Sequence, residues 1–177
     1  NAGMNRLGGR LCARVWLSFF LALVLRHFAP LCPEKERARL LRLRHQLLEN
    51  AESAWAGPWY LRAWNDAGQP IGGPDTQPPR IDLISQAFAM LAGAPRDHAR
   101  SAVLAAARLL YDRAHGIVKL LSPPFALPEN AGYIGAYIPG VRENGGQYTH
   151  AVPWLIAALC QAGESALAWE IARALLP

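Results

Sequence analysis

The sequence predicts an all-α fold built from helix hairpins with long loops between the pairs. Three observations predict it. Apolar residues recur at helical spacing in six stretches. Prolines and glycines stand where those stretches begin and end, as at Pro33, Gly93, Pro95 and Gly163. Two long intervening segments are dense in Gly, Pro, Asn, Asp and Tyr, which makes them poor core and poor helix material.

The first helix is expected over Leu11–Phe28 and is apolar nearly all round. Its run Val15–Leu25 is too short to cross a bilayer, and Arg14 and Arg26 flank it, so a buried core helix is favoured over membrane insertion. Glu34–Ala54 is the second helix, opened by Pro33. Leu40, Leu41, Leu47 and Leu48 share one face, and Arg37, Arg39, Arg42 and Arg44 the other. Trp55–Pro79 reads as loop, with a short strand in WYLRAW (59–64) and a turn at NDAG (65–68). Ile81–Leu91 is the third helix, stopped by Gly93 and Pro95. His98–Ala114 is the fourth, with Val103, Leu104, Ala107 and Leu110 on one stripe. A second loop region, His115–Thr149, leads to two final helices, Ala151–Gln161 and Glu164–Leu175, joined at Gly163. Helices that are apolar on most faces need neighbours on both sides. A two-layered helical barrel and a plain bundle both supply them, although bundles rarely carry two such long loops. No fixed period recurs.

The chain has 177 residues, enough for one domain, yet its ends, Asn1 and Pro177, read as cut from a larger polypeptide. The net charge of +5 is concentrated in the arginines of the second helix. With no aromatic platform or nucleic-acid motif beside them, they read as a solvated face. Cys12, Cys32 and Cys160 are odd in number and widely spaced, which points to buried thiols in a reducing compartment. His27, His45, His98 and His115 lack ligand spacing, so no metal is expected.

The richest chemistry lies in VRENGGQYTH, Val141–His150, preceded by NAGYIGAYIPG, Asn130–Gly140. Glycines let backbone approach a polyhydroxylated ligand, tyrosines stack on it, and Glu143 and His150 exchange protons or accept hydrogen bonds. Each residue also has a plainer reading. Trp55 and Trp59 serve equally well as packing aromatics, Tyr137 as a loop anchor, Glu143 as a distant cap, and His150 as a structural residue at a helix start. Arg80 and Asp82 read as a local ion pair at a helix N-terminus.

Several segments in this order resemble a known family. NAGMNRLGG (1–9), AWAGPWYLRAWNDAGQPIG (54–72), RIDLISQAFAMLAGA (80–94), LLSPPF (120–125) and GYIGAYIPGVRENGGQYTHAVPW (132–154) are together highly specific, though no single one would suffice. The chain is similar to the phosphorylase-type domain of glycoside hydrolase family 94, in the version found at the C-terminal end of cyclic β-1,2-glucan synthases. The resemblance implies the later helices of an (α/α)6 barrel. It also implies inverting phosphorolysis of β-linked glucosides, with inorganic phosphate as co-substrate, glucose 1-phosphate as product and no cofactor. In such synthases the domain is associated with control of glucan length. The parent protein is held in the bacterial inner membrane with this domain on the cytoplasmic side.

Phosphate is already anionic, so an inverting phosphorylase needs one carboxylic acid to protonate the glycosidic oxygen. The resemblance places that acid in a Trp-Asp-Gly-x-Trp motif, which here reads Trp55, Ala56, Gly57, Pro58, Trp59. A second family aspartate, in Asn-Asp-Gly-Met-Asn, is replaced by Ala2. By the same resemblance Trp55 walls the sugar ring, and Tyr137, Arg142, Glu143 and Asn144 are substrate ligands. Gln147, Thr149 and His150 would bind phosphate. Two functional classes follow: a carbohydrate-active enzyme domain, or a degenerate copy that binds glucan without the chemistry. A helical interaction module is a third and weaker reading, because such a scaffold has no need of the VRENGGQYTH cluster.

Overall fold

The computed structural model describes residues 15–65, 67–126 and 132–176. Ala2, Cys12, Arg14, the start of the expected first helix and Asn130 lie outside them. Six α-helices carry the described fold: α1 Val15–Phe28, α2 Glu34–Ala51, α3 Leu83–Ala92, α4 Arg96–Leu110, α5 Val152–Ala162 and α6 Ser165–Ala174. All six were expected within a few residues of these bounds. α1 packs on α3 and α3 on α5, forming one row. α2, α4 and α6 pair with α1, α3 and α5 respectively, forming a second row. Two rows of alternating helices are the layering of a helical barrel rather than of a plain bundle.

Helix boundaries follow local chemistry. α3 and α5 stop at Gly93 and Gly163, whose φ of 83° and 86° a side chain would resist. α2 begins after Pro33, and Arg37 and Arg39 reach back to Glu34 and Glu36. Arg44 departs from the solvated face expected of it and donates to the Ala92 carbonyl at the end of α3 (2.8 Å). The thiols depart from expectation too: Cys32 is half-buried and Cys160 exposed.

The turns after α1, α3 and α5 are short, whereas both long segments run from the second row back to the first. They therefore gather where α3 and α5 begin. Each carries short strands: β1 Ala63–Trp64 with β2 Pro70–Ile71, and β4 Tyr111–Asp112 with β5 Ile117–Val118. A third antiparallel pair joins the two segments, β3 Ile81–Asp82 with β6 Leu121–Ser122. Ile71, Leu121, Phe125 and Ile134 form a small apolar cluster over that junction. The expected third helix thus starts two residues late, because Ile81 and Asp82 are taken by β6. The fourth ends early, because Tyr111 and Asp112 peel away to pair with β5. Tertiary pairing outweighs helix propensity at both ends.

Asp82 is fully buried. Its side chain accepts from the Ser85 amide (3.3 Å) and caps α3. Its ion-pair partner is Arg62, not the expected Arg80, at 3.2 Å. Replacing Asp82 by alanine should remove a cap and strand a nearly buried guanidinium, at a cost of about 3–5 kcal/mol. Urea unfolding of the two proteins checks this, and a loss below about 1 kcal/mol would contradict it.

Candidate functional site

The segment Gly140–Gly146 is a tight, strained coil. Val141 bridges Asn144, the Gly140 amide donates to the Asn144 carbonyl (2.8 Å), and the Gly146 amide to that of Arg142 (3.1 Å). Arg142 has φ of 50°, the one non-glycine residue in the left-handed region among those described. Gly145 has φ of 91°, and a Cβ there would stand 2.9 Å from the Pro124 side chain. A Cβ on Gly146 would meet the Arg142 carbonyl at 2.8 Å. The paired glycines are what allow the coil to close.

Asn144 sits at its centre, fully buried. Its Oδ1 accepts from the Phe125 amide (2.7 Å), while its Nδ2 donates to the carbonyls of Phe125 (3.1 Å) and Tyr137 (2.9 Å). Expected as a sugar ligand, it is instead the pin of the loop, since every part of its amide is spent on main chain. Gln147 is committed at one end: its Oε1 accepts from the Val118 amide (2.8 Å), tying the coil to β5.

Around this frame the structure groups Tyr137, Arg142, Glu143, Tyr148 and His150. The Arg142 guanidinium lies over the Tyr137 ring at 5.3 Å and reaches its hydroxyl at 3.5 Å. Glu143 is half-buried, and its Oε1 accepts from the Tyr148 hydroxyl (3.0 Å). Its Oε2 is buried with no hydrogen-bond partner among the described residues. His150 and Thr149 are exposed. The His150 ring stands edge-on to Tyr148 (4.8 Å) and to Trp154 (5.4 Å), and Trp154 leans on Phe88 of the core (4.9 Å). Tyr133, 44 % exposed, packs edge-on against Tyr137 at 6.0 Å and extends the aromatic rim. Glu143 pushes the Tyr148 phenol above its ordinary pKa, first through the hydrogen bond and then through its charge.

Trp55 and Ala56 contact a different set of residues. Trp55 stacks flat on His98 of α4 (4.1 Å, 6°) and meets Tyr60 edge-on (5.0 Å). Expected as a sugar wall, Trp55 has one face of its indole already covered. Glu52 completes this second cluster: it takes the Tyr60 hydroxyl at 2.5 Å and contacts His98 Nδ1 at 2.8 Å. Burial, then Glu52, drives the Tyr60 phenol far above its usual range. Ala56 donates its amide to the Trp59 carbonyl in the same turn, with its methyl facing Gly73. No hydrogen bond, ion pair or ring contact among the described residues joins Trp55 or Ala56 to the Glu143 group. Sequence reading missed Tyr148, and it missed that Asn144 and Gln147 serve the backbone. An asparagine between a carboxylate and paired glycines is the signal that the loop itself needed a pin. Among the described residues no His, Cys, Asp or Glu group could hold a metal.

Asn144→Ala should leave the Phe125 amide and two carbonyls without partners. A loss of about 2–4 kcal/mol is expected, together with faster hydrogen exchange at the Phe125 amide. Unchanged exchange there would show that the pin is not needed.

The catalytic-domain model of the glycosyl hydrolase 94 superfamily matches residues 1–177. The cyclic beta-(1,2)-glucan synthase NdvB of Rhizobium meliloti (strain 1021) is 37% identical over the whole chain, which covers 6% of that protein. The solabiose phosphorylase of Paenibacillus borealis is 30% identical, again over the whole chain and 24% of the enzyme. The N,N'-diacetylchitobiose phosphorylase of Vibrio furnissii is 30% identical over 68% of the chain and 15% of the enzyme. The chain thus spans less than a quarter of each of these relatives' own length. The helical layering, the closed glycine coil and the match along all 177 residues lead to one assignment: the chain belongs to the glycosyl hydrolase 94 superfamily, within its catalytic domain.

Proposed function

We propose that the chain is the ligand-holding part of a glucan phosphorylase-like domain within a larger polypeptide, of the kind found in cyclic β-1,2-glucan synthases. The observation that carries this reading is the Glu143 carboxylate. One oxygen is fixed by Tyr148, and the other is buried without a protein partner among the described residues. A buried acceptor left open costs free energy unless something fills it, and a sugar hydroxyl is a matching donor. Tyr137 and Arg142 would flank the glucosyl ring, while His150 and Thr149, exposed beside them, would face inorganic phosphate. Control of glucan length, and a parent protein at the cytoplasmic face of the inner membrane, belong to the same reading. Among the described residues no helix is long and apolar enough to cross a membrane.

Both family aspartates are alanine here, at positions 56 and 2. Whichever of them donates the proton in the relatives, this chain offers a methyl group in its place. Loss of a general acid costs about 10²–10⁴-fold in rate. That substitution favours a second form of the reading, a copy that binds glucan but turns it over weakly or not at all. Position 56 lies beside Gly73, and the two alanines are tested separately.

Ala2→Asp, Ala56→Asp and the double variant, each joined to the parent's flanking sequence, should be assayed with β-1,2-glucooligosaccharides and phosphate. Glucose 1-phosphate release should rise at least about a hundredfold in the variant that restores the acid. No release above the alanine background in any of the three would defeat the phosphorylase assignment. Binding is separable from turnover: Glu143→Gln should weaken glucooligosaccharide affinity about tenfold in calorimetry, and unchanged affinity would defeat the ligand reading of the loop.

A further inference from the structure

We infer that Tyr148 is a positioning residue: its hydroxyl aims the Glu143 carboxylate at a sugar hydroxyl, and its ring is held for that task by the edge-on rings of His150 and Trp154. The inference rests on the sugar-site reading above and adds to it a residue that the sequence did not single out.

Geometry carries the argument. Tyr148 precedes the 3₁₀ turn Thr149–Ala151, and its carbonyl accepts the Ala151 amide at 2.9 Å, so its main chain is fixed at the entrance to α5. The ring is fixed in turn by His150 at 4.8 Å, and His150 by Trp154 at 5.4 Å. Trp154 rests on Phe88 of α3, whose ring also meets Trp16 of α1 at 5.9 Å. The phenol is therefore anchored through successive rings to the first row of helices. Its hydroxyl ends 3.0 Å from Glu143 Oε1.

A glutamate has three side-chain torsions, and freezing them costs entropy that a ligand would otherwise have to supply. A donor on one oxygen removes much of that freedom and leaves the second oxygen as the acceptor in a defined direction. That second oxygen is the buried, unpartnered Oε2. Tyr148 is a donor at neutral pH as any tyrosine is, and the adjacent carboxylate raises its phenol pKa further, against a smaller opposing pull from Arg142. A phenylalanine would fill the same space between Glu143 and His150 but could not hold the carboxylate. A hydroxyl that merely satisfied itself would make no difference to ligand affinity, which separates the two roles.

The test uses the whole chain and two probes measured separately by calorimetry, a β-1,2-linked glucooligosaccharide and inorganic phosphate. In Tyr148→Phe the sugar affinity should fall about five- to tenfold, the scale of one typical intramolecular hydrogen bond. Phosphate affinity should change less than about twofold, since the ring that supports His150 remains. The midpoint of thermal unfolding should stay that of the native chain. A ligand-independent arm follows the Tyr148 phenol by NMR of ¹³C-labelled tyrosine, where Glu143→Gln should lower its titration midpoint. If Glu143→Gln weakens sugar binding and Tyr148→Phe does not, the positioning role is wrong and the sugar site stands. Equal loss of sugar and phosphate binding in Tyr148→Phe would make the residue simply structural. No sugar binding by the native chain, or no effect of Glu143→Gln on it, would remove the site and this role together. A phenol titration indifferent to Glu143→Gln would remove the hydrogen bond on which the role depends.

Discussion

Helix α3 is buried on almost every face, and the rest of the structure is organised by the need to satisfy its first turn without water. Eight of its ten residues are buried. The opening amides of any helix lack internal partners, and here solvent cannot reach them. The chain meets this need from both long loops. Asp82 caps from within, and Arg62 of the first loop neutralises it. Leu120 of the second loop accepts the Leu83 amide at 2.9 Å. Gln86 exchanges hydrogen bonds with the main chain of Tyr60, accepting at 3.0 Å and donating at 2.9 Å. The two loops are thus tied to one helix end, and through β3 and β6 to each other. Their proximity is a by-product of burying an apolar helix in a row of apolar helices.

That anchoring explains how a glycine-rich, strained segment can hold a site. Arg142 sits in a backbone region costly for a side chain, and such strain persists only where the surroundings over-determine it. The surroundings here are specific. Asn144 fills the coil from inside, Gln147 fastens it to β5, and Leu120 takes the Gly146 carbonyl at 2.9 Å. Phe125, Ile134 and Leu121 close an apolar patch beneath it. The polar residues of the segment therefore divide by task. Asn144 spends its whole amide, and Gln147 its carbonyl oxygen, on the backbone, whereas Thr149 and His150 stay exposed and Glu143 keeps one oxygen unpartnered among the described residues.

The helices were legible in the sequence because their signals are local. Apolar spacing, Pro33, Gly93 and Gly163 act within a few residues, and the described helices follow them. What was not legible depends on partners distant in sequence. Ile81 and Asp82 carry helix-compatible residues, yet Leu121 and Ser122 draw them into a strand pair. Arg80 and Arg62 are equally charged, and only the fold decides that Arg62 reaches Asp82. Trp55 has the residue type of a sugar platform, but His98 already lies flat against it. Of the candidate site, Tyr137, Arg142, Glu143 and His150 were legible because they share one short segment. Tyr148 was not, because its importance comes from a hydroxyl whose target is five positions earlier and invisible without the turn between them.

The division of labour also bears on the two alanines. In the proposed reaction, holding the glycosyl ring and protonating the leaving oxygen are separate demands, and this chain places them on separate segments. The Glu143 coil is pinned by Asn144, Gln147 and the loop-to-loop strand pair, none of which involves position 56. Removing a carboxyl from position 56 leaves that pinning intact. A chain of this construction can therefore lose turnover while keeping affinity, and it is the retained coil, with its open carboxylate oxygen, that makes affinity the property to measure first.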